Sequence, residues 1–116
     1  MMSANATLVS LYMNLGTTIS TLRKTRKIKQ GAFAERCKIS QSYLSLIEHN
    51  RKEPNLSKLK DIASVLNVPL PVIFFLSIEK GDVPLRKRPA YDMVMPSVEK
   101  LINDVFLHDE KLPHKK

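Results

Sequence analysis

Residues 30–50 read QGAFAERCKISQSYLSLIEHN. Two short helical patterns nearly touch in this stretch. Phe33, Ala34 and Cys37 fall on one face of the first, at i, i+1 and i+4, so it runs from about Gln30 through Cys37. Lys38, Ile39 and Ser40 make a turn too short for anything but a tight corner. Ser40 suits an N-cap, because its hydroxyl can accept from an amide of the next turn. The second pattern runs from Gln41 to about His49. Tyr43, Leu44 and Ile47 mark its inward side, which leaves Gln41, Ser42, Ser45 and Glu48 elsewhere. Asn50, Arg51 and Lys52 follow at once.

Helix, short turn, helix is the spacing of a helix-turn-helix. A short helix exposed on one face fits a major groove, and its outward residues must offer hydrogen bonds to base edges. The preceding helix supports it and crosses the backbone. Gln41, Ser42 and Ser45 are the base-contact candidates, since Gln bonds adenine bidentately and Ser can donate or accept at several bases. Asn50, Arg51 and Lys52 are candidates to lie along a phosphate strand, where contacts position the protein without reading sequence. Gln30 is a phosphate candidate through its amide at a helix N-terminus, and Lys38 and Lys27 reach phosphate from the corners. The plainer reading of each group is a solvated polar face or a charged surface loop.

The rest of the chain favours the first reading. Its 116 residues make one domain's worth of chain, and 43% hydrophobic content is enough for a core. Aromatics make up only 6% and Trp is absent, which disfavours a large ligand cavity. The formal net charge is +8, pointing to an anionic partner. Residues 15–77 hold eleven Lys and Arg against four acids, a net of 11 − 4 = +7. Residues 78–116 hold eight bases against seven acids, a net of +1. Small domains often carry several net charges for solubility, but that does not require the excess to sit in one segment.

Cys37 is the sole cysteine, so no intramolecular disulfide forms. The apolar stretch from Thr7 to Leu15 lacks a preceding basic residue and a clear cleavage pattern, which argues against a signal peptide. No apolar run reaches the ~18 residues of a membrane span. The expectation is a cytoplasmic protein with no membrane role. His49, His108 and His114 fit no zinc spacing. No phosphate-binding Gly loop, nucleophile elbow or enzyme-like acid pair occurs, so neither a catalytic site, a metal nor a cofactor is expected.

Along the chain, residues 1–14 form a partly helical N-terminal segment, with a helix start near Thr7 or after Gly16. A first domain helix carrying Leu15, Ile19, Leu22 and Arg26 ends near Arg26 or Lys27, and Ile28 turns inward to close the corner. Asn55 caps a helix with Leu56, Leu59, Ile62, Ala63 and Leu66 on one face, the clearest amphipathic pattern present. Asn67 stops it. Pro69 or Leu70 opens a fifth helix. From residue 79 the chain reads as a linker and arm, in which Gly81, Pro84, Pro89 and Pro96 break any long helix. A sixth helix follows Pro96, with Val98, Leu101, Ile102, Val105 and Phe106 in a single apolar stripe.

Residues 19–67 resemble the DNA-binding domain of the Cro and phage-repressor class of bacterial regulators, the xenobiotic-response-element family. Leu22-Arg23 matches a Leu-Arg pair late in the first helix, and Gln30 matches the Gln that opens the second. Phe33-Ala34 stands at the usual Leu-Ala and Ile39-Ser40 at the usual Val-Ser. Leu46-Ile47-Glu48 resembles an Ile-x-Glu run. Pro54 and Leu56, then Ala63, Leu66 and Asn67-Val68, match the later motifs. The resemblance implies an all-α, lambda-repressor-like domain of five helices over residues 15–78, with a C-terminal helical extension over residues 79–116. It implies that Gln41, Ser42 and Ser45 enter the groove, that Gln30 braces Gln41 or meets phosphate, and that Arg23 pairs with Glu48. Two positions depart from the pattern. Lys38 stands where the family commonly has Gly, which predicts a strained turn or a different helix end. Gly31 stands where Glu or Ser is more usual.

The resulting expectation is a sequence-specific regulator of transcription on double-stranded DNA, a repressor working as a homodimer on a palindromic operator. Three alternatives stay open. An antitoxin would dock a toxin on its C-terminal arm, a restriction-modification controller would regulate its own synthesis, and an adaptor would bind protein and bind DNA only weakly. In each, Tyr91, Val98, Leu101, Ile102, Val105 and Phe106 form the dimer or partner surface, unless they cover the fifth helix within one chain.

Overall fold

The computed structural model describes residues 14–107. The expected helix start near Thr7 and the tail from His108 onward lie outside the described residues. Chain contacts form two compact units, Met1–Glu79 and Lys80–Lys116.

The first unit is all-α: α1 Leu15–Thr25, α2 Gln30–Arg36, α3 Gln41–Glu48, α4 Leu56–Leu66 and α5 Leu70–Leu76. α1 packs on α3 and α5, α2 packs on α3, and α4 packs on α5. Ile19, Leu22, Phe33, Ala34, Cys37, Leu44, Ile47, Ile62, Leu66 and Ile73 fill the core. Each large apolar side chain contributes about 1.5–3 kcal/mol of transfer free energy. Burial, with Asp61 nearby, pushes the Cys37 thiol up to about 11, so it stays protonated and acts as a small core residue.

Local chemistry sets the helix starts. Ser40 Oγ accepts from the Tyr43 amide at 3.0 Å and Asn55 Oδ1 from the Lys58 amide at 2.8 Å, so two orphan donors are satisfied. The helix ends share one device. α1, α2, α3 and α4 are each followed by a residue in the left-handed region: Lys27, Lys38, Asn50 and Asn67, with φ of 60, 64, 60 and 60°. The amide of that residue and of the next turn back onto the helix. At α2 these bonds are Lys38 to Glu35 at 3.0 Å and Ile39 to Ala34 at 3.0 Å, the Schellman pattern. Equivalent pairs close α1 (Lys27 to Lys24, Ile28 to Arg23), α3 (Asn50 to Ile47, Arg51 to Leu46) and α4 (Asn67 to Ser64, Val68 to Ala63). Lys38 therefore takes the conformation a Gly would favour, and α2 ends one residue before Cys37, which serves as its cap.

Gly16 fixes how α1 meets the end of α3. A Cβ there would overlap the Ile47 carbonyl oxygen and lie 2.6 Å from Asn50 Oδ1 and 2.9 Å from the Glu48 oxygen. The Gly16 amide instead donates to Asn50 Oδ1 at 2.8 Å. Asn50 Nδ2 donates to Asn14 Oδ1 at 2.9 Å, and Asn14 Nδ2 to Glu79 at 3.0 Å.

The second unit corrects the expectation of a proline-broken linker. Two single 3-10 turns, Lys80–Asp82 and Leu85–Lys87, lead directly into α6, Arg88–Ile102, which continues as a π-helical turn over Asn103–Leu107. Pro89 sits in the first turn of α6, where no amide partner is missing. Pro96 lies inside the helix and omits one backbone bond without ending it. Arg88 Nε donates to the Val83 oxygen at 3.0 Å, so part of the basic run 86–88 is structural. The expected single stripe is also divided. Ile102 and Met95 are buried, and Tyr91, Val98 and Phe106 are half-buried. Leu101 is 61% exposed, and Val94 and Val105 lie outward with it. Ile102 therefore cannot share an exposed surface with Leu101 and Val105.

Two stability measurements follow from these observations. Gly16→Ala should destabilise the fold by about 2–3 kcal/mol in denaturant titration, since the clash is with backbone rather than a movable side chain. Lys38→Gly relieves a left-handed side chain, a strain of roughly 1–2 kcal/mol, against a smaller loss from the freer unfolded chain. A modest rise in Tm is expected, and Lys38→Ala, which keeps the left-handed side chain, should not raise it.

Candidate nucleic-acid interface

Residues that turn α3 inward also determine what it leaves outside. Leu44, Ile47 and Glu48 are buried, Tyr43 and Ser45 half-buried, and Gln41, Ser42 and Leu46 exposed. Gln30, Gln41, Ser42, Ser45 and Leu46 together line a shallow open groove. None of these five carries a charge. The structure thus brings Gln30 from the start of α2 beside the outward residues of α3. It also adds Leu46, which the sequence reading names only as part of the Ile-x-Glu match. Spacing of i+4 from Ser42 and i+5 from Gln41 was the available signal.

A line of hydrogen bonds runs from the core to this groove. Arg23 Nε donates to Glu48 Oε2 at 2.7 Å and Arg23 Nη2 to Glu48 Oε1 at 3.1 Å, a two-point ion pair buried on both sides. Arg23 Nη1 donates to the Ile28 oxygen at 2.8 Å, tying the α1–α2 corner to the same guanidinium. Gln30 Nε2 donates to Glu48 Oε1 at 3.1 Å, and Gln41 Nε2 donates to Gln30 Oε1 at 3.3 Å. Glu48 thus faces inward and offers nothing to a base.

The far end of α3 is equally organised. His49 Nδ1 lies 2.8 Å from the Ser45 oxygen, so that nitrogen carries the proton and donates. Arg51 and Lys52 stand exposed in the following loop. The carboxamide of Asn50 is committed to Gly16 and Asn14. Of the three residues expected along a phosphate strand, Asn50 is thus engaged within the protein, while Arg51 and Lys52 are exposed. On the other flank, Lys27 and Lys38 stand exposed at the left-handed corners after α1 and α2, and Lys29 precedes α2. Arg26 departs from this cluster: its Nε donates to the Leu66 oxygen at 2.9 Å and closes the end of α4. The loops adjoining α2 and α3 thus carry exposed cations, while the residues lining the groove carry none.

A family model described as helix-turn-helix matches residues 19–73. Over 61 residues the chain is 39% identical to the immunity repressor protein of Bacillus phage phi105, covering 53% of this chain and 42% of that protein. The chain thus spans less than half the length of that relative. Two crystal structures of the clp gene regulator ClgR from Corynebacterium glutamicum share the fold. One aligns at TM-score 0.54 and 23% identity over 56% of this chain and 84% of that one. The other aligns at 0.55 and 18% over 78% and 88%. Over residues 19–73 the buried core, the short α2–α3 corner and the match to the helix-turn-helix family model coincide, and most of this stretch is what the chain shares with the phage repressor.

Proposed function

We propose that the chain binds double-stranded DNA sequence-specifically, as a repressor and as a homodimer. The observation that carries this reading is the uncharged groove lined by α2 and α3, with exposed cations in the loops that adjoin these helices. In the proposed complex Gln41, Ser42 and Ser45 meet base edges, and Leu46 adds apolar contact of the kind a thymine methyl accepts. Arg51 and Lys52 hold one phosphate strand, and Lys27 and Lys38 the other, with the Gln30 amide at the start of α2. Neutralised phosphates release counterions, so affinity falls with added salt. The phage relative's name as an immunity repressor supports the direction of control. An antitoxin or adaptor role has no observation in its favour beyond the outward apolar residues of α6.

Those residues, Val94, Leu101 and Val105, supply the proposed dimer contact. Two copies on one operator read a longer site and bind it more tightly than one. A dimer with two-fold symmetry requires a palindromic site.

Selection of bound duplexes from a random pool at ~0.15 M salt tests both parts. An enriched palindrome is expected. An asymmetric site would remove the dimer, and absence of enrichment with folded protein would remove sequence-specific binding. Competition binding then divides the roles. Gln41→Ala should weaken the selected site by about tenfold while leaving random DNA nearly unaffected. Arg51→Ala should weaken both alike and reduce the salt slope by about one unit. Equal behaviour of the two variants would refute the division.

A further inference from the structure

Gly31 lies at the second position of α2, directly beside the Gln41 side chain. An ideal Cβ on Gly31 would stand 3.2 Å from Gln41 Oε1 and 3.7 Å from its Cδ, and would meet nothing else within 4 Å. The first distance is tighter than ordinary van der Waals contact, so a real side chain here would require the neighbour to move. No backbone strain accounts for the glycine, since its φ is not positive.

Gln41 has little freedom to move without changing how it presents its carboxamide. The polarity of the chain leading to it is set at its buried end. A carboxylate only accepts, so Glu48 obliges Gln30 to turn its amino group inward, at 3.1 Å. The Gln30 oxygen then faces outward and can only accept, which obliges Gln41 to turn its own amino group toward it, at 3.3 Å. The Gln41 oxygen consequently lies over Gly31. Both amide orientations follow from the ion pair rather than from a free choice between nitrogen and oxygen. α2 cannot retreat from the contact, because Phe33 and Ala34 anchor it in the core.

We propose that Gly31 is a specificity-determining position that acts through Gln41: its missing side chain is the seat in which the Gln41 carboxamide is held, pre-oriented by Glu48 and Gln30, for bidentate contact with one base. The inference rests on the DNA reading above. Bidentate recognition needs one N–H and one oxygen in a fixed plane. After bonding Gln30, Gln41 keeps one N–H and its oxygen, which is the pair that adenine requires. A side chain at position 31 lifts the oxygen, tilts that plane and degrades discrimination at one base pair per half-site. The rest of the site and the phosphate contacts stay as they are.

The test uses the full chain, the site enriched from the random pool, and copies of that site with each base pair changed singly. The variants are Gly31→Ala, Gly31→Val, Gln41→Ala and the Gly31→Val/Gln41→Ala double. Circular dichroism establishes folding first. Gly31→Ala should melt at or above the parent temperature, since Ala favours a helix over Gly. Gly31→Val should reduce discrimination by about tenfold at the same base pair that Gln41→Ala affects, with an unchanged salt slope, and Gly31→Ala should do so to a smaller degree. In the Gln41→Ala background, Gly31→Val should add nothing. The proposal is overturned if Gly31→Val keeps full discrimination. It is also overturned if Gly31→Val weakens the Gln41→Ala background as much as the parent, because residue 31 would then meet the DNA itself. If the parent chain enriches no site, the DNA reading falls first and this inference with it.

Discussion

The pairing of Arg23 with Glu48 is the constraint on which the arrangement of this domain depends. It joins α1 to the last residue of α3, and the same guanidinium holds the Ile28 oxygen at the α1–α2 corner. Two helices and the corner that leads to a third are thus fixed by one side chain. A buried ion pair is weak evidence for stability, because desolvation opposes most of its Coulombic gain. Removing only one partner is a different matter, since it strands the other charge and costs about 3–5 kcal/mol. The contribution of the pair is therefore geometric. An apolar replacement could fill the same volume, but it would offer no acceptor to Gln30 and no donor to Ile28. The groove would then lose the buried anchor that fixes the Gln30 carboxamide.

The same end of α3 is also fixed by contact of a contrasting kind. Gly16 allows α1 to reach the last carbonyls of α3 with no side chain between, and Asn50 bonds the Gly16 amide across the gap. Further back along the same helix, Leu44 and Ile47 are almost wholly buried. α3 is only eight residues long, and an isolated helix of that length would be unstable in water. Its orientation is a property of what it packs against. A helix fixed in this way presents its outward residues without further ordering, which would lower the entropy lost in the proposed binding.

The parts of the molecule legible in the sequence were those with local causes. Ser40 and Asn55 announce helix starts because capping needs only a residue and the amide three positions on. The amphipathic repeat of α4 is visible for the same reason. The start of α6 was misread because a proline has different meanings at different positions. Pro89 is harmless in a first turn, and Pro96 costs one bond in a helix that continues past it. The division of the α6 stripe into buried Ile102 and exposed Leu101 depends on the packing around it, which periodicity alone does not give. At the groove, Gln41, Ser42 and Ser45 could be named from spacing and the family pattern. The commitment of Asn50 to Gly16, 34 residues away, could not. Nor could the seat at Gly31, which becomes visible only when α2 and α3 are placed side by side.

The helix corners carry the remaining lesson. None of the chain's three glycines stands at a left-handed position, although four helix ends require one. Lys27 and Lys38 occupy two of those places, at a strain of roughly 1–2 kcal/mol each relative to an ordinary conformation. Part of this is offset where they stand, because a cation at a helix C-terminus interacts favourably with the helix dipole by about 0.3–1 kcal/mol. The balance still favours Gly for stability alone. The sequence places charge at corners where sterics prefer glycine, and does so on the side from which α2 approaches the reading face. In the proposed complex those are the points at which the positive charge would meet phosphate. The fold accepts a small local strain so that its two lysine corners bracket the start and end of the supporting helix.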